Sequence, residues 1–130
     1  MACRFTELIV DARDPQAQAR FWAEVLGWQK AERNGVHFLM PSNPAIPLIA
    51  FVTVPEEKTV KNRLHIDVSP TDRTRDEEVE RLLGLGAVRA DIGQGDVDWV
   101  VLRDPEDNEF CVLGGRVEGD LSKWPWPGMD

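Results

Sequence analysis

The sequence follows one plan twice, and this internal repeat limits the possible folds more than any other feature. Residues 7–28 align with residues 65–87, and residues 41–52 align with residues 102–113. The alignment superposes the acidic residue before each expected helix and the Leu-Gly pair at its end. A repeat of this kind predicts two similar structural modules of roughly 50 residues each.

The second module opens with the segment RLHIDVSP, in which apolar and polar side chains alternate. Alternation with a period of two is typical of a strand that buries one face. Leu64, Ile66 and Val68 are therefore expected to cover the core. His65 and Asp67 then point to the opposite side of the sheet.

A helix is expected after the first strand of each module. Asp14 is a favourable N-cap for a helix over residues 15–26. Thr74 and Glu77 have the spacing of a capping box before a helix over residues 75–84. Both helices carry an apolar stripe at helical spacing, so they are expected to pack on the sheets.

Short apolar segments separated by turn residues complete each module. They predict strands near residues 28–32, 36–40, 47–54, 87–92, 97–102 and 109–113. The chain is therefore predicted to have an α+β fold of two βαβββ modules, at residues 4–54 and 62–115. Residues 116–130 form a Trp- and Pro-rich tail outside the two modules.

Composition excludes several classes of function. The formal net charge of −8 argues against nucleic acid as a partner, because phosphate binding needs a cationic surface. No apolar run approaches the roughly 18 residues of a membrane span, and the first residues do not resemble a signal peptide. We therefore expect a cytoplasmic protein that binds neither membranes nor nucleic acid.

Three segments resemble the vicinal oxygen chelate superfamily, which includes glyoxalase I, bleomycin-resistance proteins and extradiol dioxygenases. They are DARDPQAQARFWAEVLGW at 11–28, KNRLHIDV at 61–68 and LRDPEDNEFCVLGG at 102–115. The closest similarity is to the glyoxalase-like single-domain branch. The resemblance implies that the two modules form a curved sheet around a cleft, and that the chain forms a homodimer.

The resemblance also implies where a metal would bind. Metal-using members place one ligand on the first strand and one on the last strand of each module. The corresponding residues are Glu7, Ala50, His65 and Cys111. Alanine is not a ligand, so the divalent-metal site is incomplete and no cofactor is expected; any divalent ion would lie near the other three.

The predicted function is binding of a small molecule, with sequestration of a hydrophobic or aromatic compound as one version. The candidate ligand-binding residues face the implied cleft: Glu7, His65, Asp67, Trp99 and Cys111. The alternative is an enzyme, either a metal-dependent lyase, isomerase or dioxygenase, or one that uses His65 and Glu7 as an acid–base pair. An interaction module whose cleft has no function is a third alternative.

Overall fold

The structure, a computed structural model, describes residues 2–115. The predicted tail at 116–130 lies outside the described residues. The order of elements is βαβββ twice, as the repeat predicts. The bounds are β1 Glu7–Ala12, α1 Pro15–Leu26, β2 Gln29–Arg33, β3 Val36–Met40, β4 Leu48–Thr53, β5 Ile66–Val68, α2 Arg75–Leu85, β6 Val88–Arg89, β7 Val100–Arg103 and β8 Glu109–Val112.

The strands form two four-stranded sheets with the same topology. The first sheet has the order β1-β4-β3-β2 and the second has the order β5-β8-β7-β6. In each sheet the first and last strands of the module are parallel neighbours, and the other pairs are antiparallel. The first strand of each module therefore lies at an edge of its sheet. This α+β architecture confirms the predicted fold class.

The predicted helix ends are confirmed by their hydrogen bonds. The Asp14 carboxylate accepts from the backbone N–H of Ala17, and Thr74 forms a full capping box with Glu77. Gly27 ends α1 in the left-handed conformation, with a φ of 68° that a residue with a Cβ adopts only at a cost. These caps fix both helices over the predicted residues to within one position.

Some strands are shorter than predicted. The second module's first strand begins only at Ile66, and the side chain of Leu64 is 82% exposed. The expectation that Leu64 covers the core was therefore wrong, because the alternating pattern extends beyond the hydrogen-bonded strand. Trp99, expected on a strand over 97–102, lies in the bend before β7 and is 42% exposed.

Helix α1 packs on both sheets and connects the two modules. Its residues Phe21 and Trp22 are 4% exposed and contact the ring of Phe110 on β8. Burial of aromatic rings is among the largest contributions to core stability. The core is therefore continuous across the two modules.

The second module also holds both ends of α1. The Glu106 carboxylate accepts from the backbone N–H groups of Arg13 and Asp14, at 2.8 and 2.9 Å. At the other end, the Arg81 guanidinium donates to the carbonyl oxygens of Glu24 and Val25. Negative charge at the N-terminus and positive charge at the C-terminus both favour a helix. None of the described helices is long and apolar enough to cross a membrane.

Candidate functional site

Three chemically different side chains meet on the second sheet, on the face that lies away from the helices. Asp67 on β5 is paired directly with Cys111 on β8, and His65 precedes Asp67 by two residues on the same face. The His65 Nε2 atom lies 3.2 Å from an Asp67 carboxylate oxygen. The imidazole nitrogen, the carboxylate oxygen and the Cys111 sulfur all lie within 4.8 Å of one another. We call these three residues the His65 cluster.

The environment of Cys111 holds its thiol in the protonated form. Burial raises the pKa of Cys111, and the negative charge and hydrogen bond of Asp67 raise it further, to about 11. The nearby charge of Lys61 opposes this shift but does not offset it. In the metal-free protein Cys111 is therefore a weak nucleophile at neutral pH and donates its proton toward Asp67.

The His65 cluster is buried at its base and open at its top. Cys111 is only 5% exposed, whereas the side chains of His65 and Asp67 are 46% and 30% exposed. A molecule in solvent therefore reaches the imidazole and the carboxylate without any rearrangement of the core.

Glu109 lies on the same face of β8, two residues before Cys111, and is buried. Its carboxylate accepts from the Lys58 ammonium at 2.7 Å and from the backbone N–H of Asn62 at 3.3 Å. Burial would raise the pKa of Glu109, but these hydrogen bonds and the Lys58 charge lower it below its usual value. Glu109 is therefore a partner for the segment that joins the modules, and its charge is already neutralised.

A cavity of about 1120 Å³ lies between the modules. It is bounded by the edge strands β1 and β5 and by the C-terminal end of α1. Its apolar lining includes Leu8, Trp28, Leu48, Ile66, Val68 and Leu113. Asp67 also lines it, so the cavity and the His65 cluster share one side chain. The volume slightly exceeds the usual range of small-molecule sites, about 300–1,000 Å³.

The structure brings together three of the five predicted ligand-binding residues. His65, Asp67 and Cys111 form the cluster, but Glu7 is not part of it. Trp99 does not line the cavity between the modules. Asp67, rather than Glu7, is therefore the carboxylate placed to orient the His65 ring.

The apolar residues of the cavity could not be found from the sequence as site residues. Leu8, Ile66 and Val68 occupy core-facing positions of their strands, and the sequence predicts only a core role for them. Arg81 also lines the cavity, although its position on α2 predicts an exposed side chain. Only the gap between two strand edges makes these residues a site, and strand periodicity does not reveal such a gap.

The donor atoms of the His65 cluster fit some metal ions and not others. Imidazole, carboxylate and thiolate together are ligands of zinc-type ions, and three protein ligands with an open fourth position are typical of catalytic zinc sites. Hard ions such as Mg²⁺ and Mn²⁺ prefer sites built from oxygen and imidazole donors. The cluster therefore suits a thiophilic divalent ion better than a hard one.

Several solved structures with similar folds are glyoxalase/bleomycin resistance or fosfomycin resistance proteins. A glyoxalase/bleomycin resistance protein/dioxygenase family enzyme from Burkholderia phytofirmans PsJN is 21% identical, with a TM-score of 0.63 over 85% of this chain and 97% of that chain. The fosfomycin resistance protein FosX from Mesorhizobium loti is 17% identical, with a TM-score of 0.65 over 90% and 95% of the two chains. At these identities the similarity establishes the fold.

A second FosX structure, of a mutant of the protein from Listeria monocytogenes, is a complex with Mn(II) and 1S,2S-dihydroxypropylphosphonic acid. It is 14% identical, with a TM-score of 0.67 over 90% of this chain and 96% of that chain. Comparison with curated protein sequences found no match. The sequence profile of the glyoxalase-like domain matches residues 7–113, which is most of the chain. With its two βαβββ modules, the chain therefore belongs to the glyoxalase-like domain family of the vicinal oxygen chelate superfamily.

Proposed function

We propose that this protein binds a hydrophobic or aromatic small molecule in the cavity between its two modules. The observation that carries the proposal is the apolar lining of that cavity, to which strands of both modules and the end of α1 contribute. An apolar ligand that enters such a cavity gains roughly 25 cal/mol for each Å² of apolar surface removed from water. The function is then sequestration or transport of the ligand rather than its conversion.

Polar groups at the border of the cavity supply orientation. Asp67 lies at the edge that the cavity shares with the His65 cluster. Arg81 also borders the cavity, but its guanidinium is paired with the Glu78 carboxylate and with the end of α1. Asp67 therefore supplies an acceptor for a hydrogen-bond donor on a largely apolar ligand.

Binding of a neutral aromatic fluorophore, N-phenyl-1-naphthylamine, tests this proposal. We expect saturable binding of one molecule per chain, with a dissociation constant near 10 μM, equivalent to about 7 kcal/mol. Leu48→Trp fills part of the cavity and is expected to weaken binding at least tenfold. Leu48 lines the cavity but lies outside the buried core cluster, so the fold tolerates the larger ring.

Val88→Trp is the matched control, because it adds the same ring on β6 at a position that is 56% exposed and outside the cavity. It is expected to bind the fluorophore as the unmodified protein does. Leu113→Trp, which changes a cavity residue of the second module, is expected to reproduce the Leu48→Trp effect. Absence of binding, or equal binding by all three variants, would contradict the proposal.

A metal-dependent lyase, isomerase or dioxygenase is the second candidate. It is favoured by the His65 cluster, whose donor atoms lie within 4.8 Å of one another and whose Asp67 also lines the cavity. A divalent ion held there would act as a Lewis acid toward an oxygen atom of the ligand. His65, Asp67 and Cys111 would hold the ion, and the apolar wall would position the ligand beside it.

We also propose that the chain forms a homodimer. Within residues 2–115, strands β1 and β5 each pair on one side only, and Ile9 on β1 is 46% exposed. Unpaired strand edges with exposed apolar residues are usually covered in native proteins. Light scattering at micromolar concentration is expected to give twice the chain mass of 14.7 kDa. A measured mass equal to that of one chain would contradict the dimer.

A further inference from the structure

We propose that His65, Asp67 and Cys111 of a single chain together bind one thiophilic divalent cation of the zinc type. All three ligands come from the second module, two from the β5 segment and one from β8. The first module contributes neither Glu7 nor Ala50. Asp67 supplies the donor that the alanine lacks, so this proposal replaces the sequence-based expectation that no metal is bound.

The spacing of the three donor atoms supports this assignment. A tetrahedral zinc site separates its ligand atoms by about 3–4 Å, given metal–ligand bonds of about 2.0–2.3 Å. The His65 and Asp67 atoms are already 3.2 Å apart, and all three donors lie within 4.8 Å. Small rotations of the partly exposed His65 and Asp67 side chains are enough to bring all three donor atoms within bonding distance of one ion. The buried Cys111 stays in place on its strand.

The arrangement of β5 and β8 explains why the donors converge. Residues two apart on a strand project from the same face, which places His65 beside Asp67. The parallel pairing sets Asp67 directly opposite Cys111. Pairing of the two strands therefore preorganises the cluster before any ion arrives. Cation binding breaks the Cys111 S–H bond, forms a sulfur–metal bond and releases the proton to solvent.

The choice of ion follows from the sulfur and from the exposure of the cluster. A thiolate in the set selects zinc, cobalt or a similar ion over Mg²⁺, Ca²⁺ or Mn²⁺. The exposed side of His65 and Asp67 leaves a fourth position open to solvent or to a ligand. The site is therefore distinct from a closed structural zinc site, which has four protein ligands.

Titration of the full chain with Co²⁺, after purification without a histidine tag, tests the proposal. We expect one equivalent to bind and to produce a near-ultraviolet charge-transfer band that reports a sulfur–cobalt bond. Zinc is expected to displace the cobalt and remove the band, whereas Mn²⁺ is expected to leave it unchanged. This readout is independent of any enzymatic activity and of binding in the apolar cavity.

Variants assign the ligands. Cys111→Ser is expected to remove the charge-transfer band, and His65→Ala and Asp67→Asn are each expected to weaken cobalt binding at least tenfold. Cys3→Ser and Glu7→Gln are the matched controls, since they change a thiol and a carboxylate that lie outside the cluster. Both variants are expected to bind cobalt as the unmodified chain does. Circular dichroism verifies that each variant is folded. Because the His65 side chain is 46% exposed, His65→Ala is expected to fold and to test the site even if Cys111→Ser does not fold.

Three results would overturn the proposal. The first is no cobalt binding at millimolar concentration, and the second is binding without the sulfur band. The third is an equal loss of affinity in Glu7→Gln and Asp67→Asn. Leu48→Trp is expected to bind cobalt as the unmodified chain does, because Leu48 lies outside the cluster. Failure of the metal proposal and failure of the cavity proposal are therefore distinguishable.

Discussion

Replacement of Asp104 by alanine is expected to lower the free energy of unfolding by about 3–5 kcal/mol. Asp104 is 2% exposed, and both oxygens of its carboxylate accept hydrogen bonds. One oxygen accepts from the side chains of Gln18 and Trp22, at 2.8 and 3.0 Å. The other accepts from the backbone N–H groups of Glu106 and Asn108, at 2.9 and 3.0 Å. Alanine would remove the acceptor of all four donors, and the Gln18 and Trp22 side chains among them are buried.

The expected loss of stability in Asp104→Ala is large because Asp104 joins the two modules. It lies in the turn between β7 and β8, while Gln18 and Trp22 lie on α1 of the first module. Typical domains are stable by only about 5–15 kcal/mol, so this change removes a large part of the total. Chemical denaturation followed by circular dichroism measures the difference.

Two variants at the same turn separate this effect from a general effect of mutation. Asp107→Asn is the matched control, since Asp107 is exposed and its φ of 68° suits asparagine; a change within about 0.5 kcal/mol is expected. Asp104→Asn is expected to have an intermediate effect of about 1–3 kcal/mol. Among the described residues the Gln18 side-chain oxygen has no hydrogen-bond partner, so rotation of the Gln18 amide lets this oxygen accept from the NH₂ group of the new asparagine. Equal stability of the Asp104→Ala and Asp107→Asn variants would refute this account.

The sequence predicts the parts of the fold that local chemistry controls. Caps at Asp14 and Thr74 fix where the helices begin, because they satisfy backbone N–H groups within one turn. The alternating pattern of β5 correctly placed His65 and Asp67 away from the core. The internal repeat supplied the order of the elements.

The parts that the sequence did not predict depend on how the modules meet. The repeat aligns Glu7 with His65, but similar positions in two modules come together only in some packing arrangements. In this chain α1 packs in one core with residues of both sheets, and Asp67 rather than Glu7 is next to His65. Asp104 lies in a turn, but its contacts with Gln18 and Trp22 span more than 80 residues of sequence. No local pattern encodes such a contact.

The second large loss of stability is expected when the aromatic contact between the modules is removed. Phe110 on β8 is 1% exposed, and its ring centre lies 4.8 Å from that of Trp22 and 6.2 Å from that of Phe21. Phe110→Ala is expected to lower the free energy of unfolding by about 3–5 kcal/mol, because it removes a buried ring and leaves a cavity. Phe110→Leu keeps most of the volume and is expected to cost about 1.5 kcal/mol.

Phe5→Ala is the control for loss of a phenyl ring, since Phe5 is 66% exposed; a change within about 0.5 kcal/mol is expected. Because Phe110 belongs to the second module and Trp22 to the first, both modules should lose structure in one cooperative transition. Tryptophan fluorescence and far-ultraviolet circular dichroism of Phe110→Ala are then expected to report the same midpoint. Two separate transitions, or a loss no greater than that of Phe5→Ala, would show that the modules are stabilised independently and that α1 does not couple them.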